Sequence, residues 1–414
     1  MVVKRKLSNG IRVVIEPISH VQSAAMGIWV RAGSIDENEK NSGISHFIEH
    51  MMFKGTENRS AKRIAEDIDW IGGHINAFTG KEATCYYVKV LGSNLYEACD
   101  VVTDMFLKSQ FDPVEMEKEK DVIYEEIKML EDSPEDDVHD ILGEAVFRGT
   151  LLERPVIGTP QSLYGINRED ILSYIDREYT ADHIVVAVAG AVDPDRFCQY
   201  FEEKLQGLTR FKSEKSKPEF LKIPEFNVKV KDVEQSHICI GLPSVELDGP
   251  LYYPMILLSS IMGGSMSSRL FQKVREEKGL AYSVYSISHS YVDTGIFSIY
   301  AGVSHKKVEE AMNAIKGELE ALKRGGVTAD ELHKVKEQMK SSFIFGQESV
   351  NSRMFSIGRS ELLLSRIRSP QETLEKIDAV TMDDIAAVAA GIVDVERYSV
   401  ALITNKDRDL KKMM

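Results

Sequence analysis

Gly43-Ile44-Ser45-His46-Phe47-Ile48-Glu49-His50-Met51-Met52-Phe53-Lys54-Gly55 holds the residues from which this chain is best read. On a helix, side chains four apart share a face, so His46 and His50 project in parallel and can bite one metal ion. Glu49 stands beside His50 on the same side, within reach of a water held by that ion. Two imidazoles and a carboxylate that need not itself be a ligand suit zinc-assisted hydrolysis. The same letters also describe two core or surface histidines on an amphipathic helix. A third ligand decides between these readings.

The glutamate-rich segment 113–131, PVEMEKEKDVIYEEIKMLE, is where a third ligand is sought. Met116, Ile123, Ile127 and Leu130 repeat at helical period and form an apolar stripe. At about 100° per residue, Glu119 and Glu126 fall within roughly 60–80° of that stripe, while Glu125 points nearly opposite. Glu119 and Glu126 are two turns apart and stack on one side. A carboxylate bordering a buried face needs a partner, because burying it alone is costly. A metal would supply one, and so would neighbouring lysines; face geometry leaves both roles open.

The chain alternates strands and helices on either side of a polar, lysine-rich stretch, Lys212-Ser-Glu-Lys-Ser-Lys-Pro-Glu219, which reads as a linker. It lies near the midpoint, and each half runs strands, a helix (43–55 and 261–274), strands, then two long helices (94–108 and 113–131; 307–324 and 328–345). Asp112-Pro113 and Thr328-Ala329-Asp330 both look like helix starts. Setting Phe53 on Phe271 places Gly264, Ser267 and Ser268 opposite His46, Glu49 and His50, so the second half repeats the architecture without the ligands. The expectation is an α+β fold: two similar domains from an internal duplication, each a mostly antiparallel sheet with helices packed against it. The boundaries are 1–210, a linker at 211–224, and 225–414.

Composition narrows the function classes. A chain of 414 residues suggests more than one domain, and 43% hydrophobic with 28% charged content is that of a soluble protein with a sizeable core. The net charge of −14 argues against nucleic-acid binding, which needs a basic footprint. It suits either an acidic chamber for basic peptides or simply a solvated acidic surface. Cys85, Cys99, Cys198 and Cys239 form no C-x-x-C pair, which fits a reducing compartment rather than a disulfide framework. The N-terminus reads as a strand pair turning at Asn9-Gly10, not as a signal peptide. The run 184–192 is too short for a membrane span and reads as a buried strand. The expectation is therefore a cytoplasmic protein without a membrane partner.

Together, HFIEHMMFKGT and Glu126, 76 residues after His50 within EKEKDVIYEEI, resemble the pitrilysin family of zinc peptidases. This family, the inverzincins with reversed His-x-x-Glu-His order, includes insulin-degrading enzyme and the mitochondrial processing peptidase. The resemblance spans the chain. Gly72-Gly73-His-Ile-Asn76-Ala77-Phe78-Thr79 is similar to the family's substrate-binding edge strand. Gly263-Gly264-Ser-Met-Ser-Ser-Arg-Leu-Phe-Gln-Lys-Val-Arg275 through Tyr282 is similar to its second-half signature. Arg154-Pro-Val-Ile-Gly-Thr159 and Ala189-Gly190 also stand in family-like places. Thr150-Leu-Leu-Glu153 departs from the His-Pro-Leu-Gly type of stretch that relatives often carry.

The resemblance implies one zinc ion per chain, held by His46, His50 and Glu126, with Glu119 orienting a ligand or balancing charge. Glu49 is then the general base for attack by a zinc-activated water on the scissile carbonyl. Asn76, Ala77 and Phe78 would hold an extended peptide by strand addition, and Arg275 and Tyr282 would bind the substrate carbonyl. Unstructured peptides are favoured over folded proteins, as for a processing protease. Two rivals share parts of this pattern: a non-catalytic structural homologue, and a hydrolase of a non-peptide substrate. A closed peptide chamber in the family needs four such domains, and this chain supplies two. Because it carries both the ligands and the Arg275/Tyr282 pair, a homodimer enclosing the chamber is expected.

Overall fold

The computed structural model describes residues 2–209, 224–393 and 397–410; the expected linker falls almost wholly outside them. The strands are β1 (Val3–Lys6), β2 (Arg12–Pro17), β3 (Ser23–Val30), β4 (His74–Thr79), β5 (Thr84–Leu91) and β6 (Ile184–Gly190), then β7 (Phe226–Val230), β8 (Ser236–Ser244), β9 (Ala281–Ser290), β10 (Gly295–Val303) and β11 (Ser399–Thr404). Among the described residues they form two sheets, ordered β1-β2-β6-β3-β5-β4 and β7-β11-β8-β10-β9.

The duplication is visible in these orders. β2-β6-β3-β5-β4 and β7-β11-β8-β10-β9 occupy the same places in the same chain sequence. The direction pattern repeats too: β2 and β6 are parallel, as are β7 and β11, and the remaining neighbours are antiparallel. β1 is an addition to the first sheet, paired with β2 through a turn in which Gly10 has φ +100°. The fold is therefore α+β with two similar domains, each a mostly antiparallel sheet with packed helices.

Helices follow their sequence signals. Pro113–Asp132 begins where Asp112 Oδ1 accepts from the Val114 and Glu115 amides at 2.9 and 3.1 Å. Ala329–Gly346 begins with Thr328 Oγ1 accepting from the Glu331 amide at 3.2 Å. The strand read at 184–192 is β6, buried at every position, as a strand covered on both faces must be. The halves correspond one helix away from the register that sets Phe53 on Phe271, however. In element order Tyr252–Gly263 follows β8 as Ile44–Met51 follows β3. Gly264, Ser267 and Ser268 thus come after the counterpart helix, not on it.

The two compact units do not follow the midpoint. The first contains Met1–Ile127, the part of the first half from Arg154 onward, and Ile344–Ile367; the second contains Lys128–Glu153, most of the second half and the C-terminal segment from Arg368. Contiguous units of 1–210 and 225–414 would leave each helix with its own half. Instead, Val350–Leu364 packs on β2, β3 and β6, and Pro134–Phe147 packs on β7, β8 and β11. Glycines in the receiving strands make room. A Cβ on Gly241 of β8 would lie 2.8 Å from Val146 Cγ2 and 2.9 Å from Leu142 Cδ1, and one on Gly27 of β3 would lie 2.9 Å from Met354 Sδ.

Candidate metal centre

His46, Glu49 and His50 lie on the eight-residue helix Ile44–Met51, whose opposite side buries Ile44, Phe47, Ile48 and Met51 in the first core. That burial fixes the rotation of the helix, and with it the direction of the two imidazoles. Glu126 arrives from Pro113–Asp132, which buries Met116, Ile123 and Ile127 and so turns Glu119 and Glu126 toward the same side. His50 Nε2 lies 3.6 Å and His46 Nε2 3.9 Å from Glu126 Oε2. The three donor atoms sit within 4.8 Å of one another, the one such group of three or more among the described residues.

The surroundings match the demands of a cation with nitrogen and oxygen ligands. Glu119, 4% exposed, lies with Oε1 2.8 Å from His50 Nδ1, and its other oxygen pairs with Lys54 Nζ. Burial raises the pKa of Glu119, but the bonds from His50 and Lys54 outweigh it and hold the carboxyl below its ordinary value. An ionised carboxylate can only accept, so His50 Nδ1 donates to it, and Nε2 is the ring atom turned to the metal side. Burial, with the nearby His50, pushes His46 down to about 4, so its imidazole is neutral near pH 7. Two imidazole nitrogens and one carboxylate are a donor set that fits zinc well, and with that set the bound ion would carry a net charge of about +1.

Glu49 is turned toward β4, where the Thr79 hydroxyl donates to its Oε2. Its pKa is raised by burial, with the Thr79 bond and His50 opposing that rise. Asn76, Ala77 and Phe78 lie on β4, which among the described residues pairs with β5 alone and forms one edge of the sheet. The Ala77 amide donates to Asn76 Oδ1 at 2.8 Å. Phe78 stacks edge-on against Trp29 and Phe355, with centroids 5.5 and 5.8 Å away.

Arg275 and Tyr282 belong to the second unit, on the helical turn Phe271–Glu277 and on the edge strand β9. The Arg275 guanidinium lies 4.9 Å from the Tyr282 ring centre and 4.6 Å from that of Phe271. Tyr282 is 81% exposed. Two contacts escaped sequence reasoning, Thr79 to Glu49 and Lys54 to Glu119. Thr79 had a readable signal: it lies two residues beyond Ala77 and so shares its face. Lys54 had none, because its partner is distant in sequence.

Residues 12–160 match the family model described as "Insulinase (Peptidase family M16)", and residues 165–339 match "Peptidase M16 inactive domain". The chain is 42% identical to "Uncharacterized zinc protease YmxG" of Bacillus subtilis over 98% of both proteins. It is 36% identical to "Uncharacterized zinc protease SCO5738" of Streptomyces coelicolor, over 94% of this chain and 86% of that one. In fold it is similar to a protease from Helicobacter pylori, with a TM-score of 0.91, 21% identity, and coverage of 98% of this chain and 99% of that one.

Proposed function

The chain belongs to peptidase family M16, and on that premise we propose that it is a zinc metalloendopeptidase for extended, unstructured peptides, with Glu49 as general base. The observation that carries this reading is the convergence of His46 Nε2, His50 Nε2 and Glu126 Oε2 beside Glu49. Those three side chains would hold the zinc. When bound, zinc supplies Lewis acidity and brings the pKa of a water from about 15.7 toward about 7, so that a nucleophile is available at neutral pH.

The chain's own residues do the rest. Glu49 accepts the proton from the attacking water and returns it to the leaving amine, and the Thr79 hydroxyl orients it for both transfers. Glu119 fixes the His50 tautomer. A peptide adding to β4 would gain backbone hydrogen bonds from a strand whose far side pairs with no strand among the described residues, and β4 ends at Thr79, beside the base. Arg275 and Tyr282 are assigned to the substrate carbonyl. We further propose a homodimer that encloses the peptide.

A peptide-cleavage assay with and without chelator tests the activity and separates this reading from a non-catalytic homologue or a hydrolase of other substrates. Glu49→Gln sharpens it. The variant is expected to keep its zinc and lose turnover by about 100-fold or more, since only the proton shuttle is removed. Near-normal rates in zinc-loaded Glu49→Gln would reject the general-base assignment.

A further inference from the structure

The helix that carries His46, Glu49 and His50 is only two turns long, and its first-turn amides need acceptors that the helix cannot supply. The usual device, a Ser, Thr, Asp or Asn side chain at the residue before the helix, is blocked. Gly43 occupies that place with φ +90°, and a Cβ there would lie 2.6 Å from Ile157 O and 2.9 Å from Gly158 Cα. The acceptor comes instead from Glu37, six residues upstream. Glu37 Oε2 accepts from the Gly43 amide at 2.7 Å and Oε1 from the Ser45 amide at 2.9 Å.

Glu37 is 4% exposed. Burial pushes its pKa up to about 7, against the lowering effect of the Ser45 and Gly43 amides. A buried carboxylate is a costly cap, so a fold that uses one here does so where geometry leaves no local alternative. The same turn is fixed from two other directions. Ser45 Oγ lies 2.8 Å from Tyr174 OH, and Ser162 Oγ donates to Ser42 O at 2.7 Å. Residues 42, 43 and 45, immediately before His46, are thus each tied by a hydrogen bond to Glu37, Tyr174 or Ser162.

We propose that Glu37 is a positioning residue of the metal centre: by holding the Gly43 and Ser45 amides it sets the direction in which His46 and His50 meet the metal. It lies outside the donor cluster and acts through the backbone of the helix. This inference rests on the zinc-site reading above.

The test uses the full chain with Zn2+ and Co2+ alone as probes. Glu37→Gln is compared with wild type, with His46→Ala, and with Glu361→Gln. Glu361 is another buried carboxylate of the same unit, paired with Lys4 and Arg12 at 2.5 and 3.7 Å. Glu37→Gln is expected to bind zinc about tenfold more weakly in chelator competition, in line with other residues that orient ligands. It should also shift the visible bands of the Co2+-loaded protein. Glu361→Gln should change the melting temperature and neither metal signal. Glu37→Asp keeps the charge but loses a methylene of reach; it should fall between wild type and Glu37→Gln, and it carries the test if the Gln variant does not fold.

Wild-type zinc affinity and an unchanged Co2+ spectrum in a folded Glu37 variant would overturn the proposal. So would equal metal shifts in Glu37→Gln and Glu361→Gln, which would mark general loosening of the unit. If wild type bound no zinc, or His46→Ala bound it unchanged, the metal-centre reading would fall and the proposal with it, a result distinct from a loss confined to Glu37.

Discussion

Thr79 shows how much a single hydroxyl can matter at this site. It ends the edge strand and donates to the carboxylate proposed as the base, so strand and base are tied at one atom. Thr79→Val keeps the β-branched shape and removes the donor. Its expected effect is a fall in kcat of about tenfold, a fraction of the roughly 100- to 10,000-fold that a positioned acid–base group contributes. Zinc content and KM should stay near wild type. Steady-state kinetics with metal analysis check this, and loss of zinc would show that Thr79 supports the ligands rather than the base.

Two elements are held by contacts whose cost of loss can be estimated. The helix Val350–Leu364 rests on β3 through Gly358, where an added Cβ would lie 2.7 Å from Trp29 Cε2. The indole is rigid and fully buried, so Gly358→Ala forces the helix outward and should destabilise by about 1–3 kcal/mol, measured by urea unfolding; an unchanged midpoint would mean the helix is free to shift. In the second unit, Arg269 binds both oxygens of Glu331 at 2.6 and 2.7 Å. That bond, with the Thr328 amide and against burial, holds Glu331 down to about 2. A carboxyl depressed in the folded state stabilises above its unfolded pKa of about 4.3 and loses that contribution as pH falls toward about 2. Arg269→Met should therefore lower stability at pH 7 by about 1–3 kcal/mol and flatten the acid limb between about pH 4.5 and 2. An acid limb identical to wild type would remove the pair from the stability balance.

At the scale of the whole molecule, the homodimer proposal makes a quantitative prediction. If each metal site works with the Arg275 and Tyr282 of the opposite subunit, then Glu49→Gln homodimers and Arg275→Ala/Tyr282→Phe homodimers should both be poorly active. An exchanging equal mixture should recover up to roughly a quarter of wild-type activity under random pairing, because half the dimers then hold one intact composite site of two. No recovery despite proven subunit exchange would place the residues in one working chain. A monomer fully active at nanomolar concentration would reject the dimer.

The sequence alone determined what short-range chemistry controls. The spacing of His46, Glu49 and His50 on one helix, the apolar stripe that brings Glu119 and Glu126 to its border, and the caps at Asp112 and Thr328 are local patterns, and the structure has each element there. The repeat of element order along the two halves was legible for the same reason, since strands and turns punctuate the chain, while the order of strands within each sheet came from the structure. Tertiary packing alone decided the exchange of Pro134–Phe147 and Val350–Leu364 between units. Each helix packs close above a glycine of the sheet it covers, Met354 over Gly27 and Leu142 with Val146 over Gly241, contacts between residues far apart in the chain. It also decided the partners of Glu37 and Glu119, because a buried carboxylate takes whichever donors the fold brings within 3 Å, however far apart they lie in the chain.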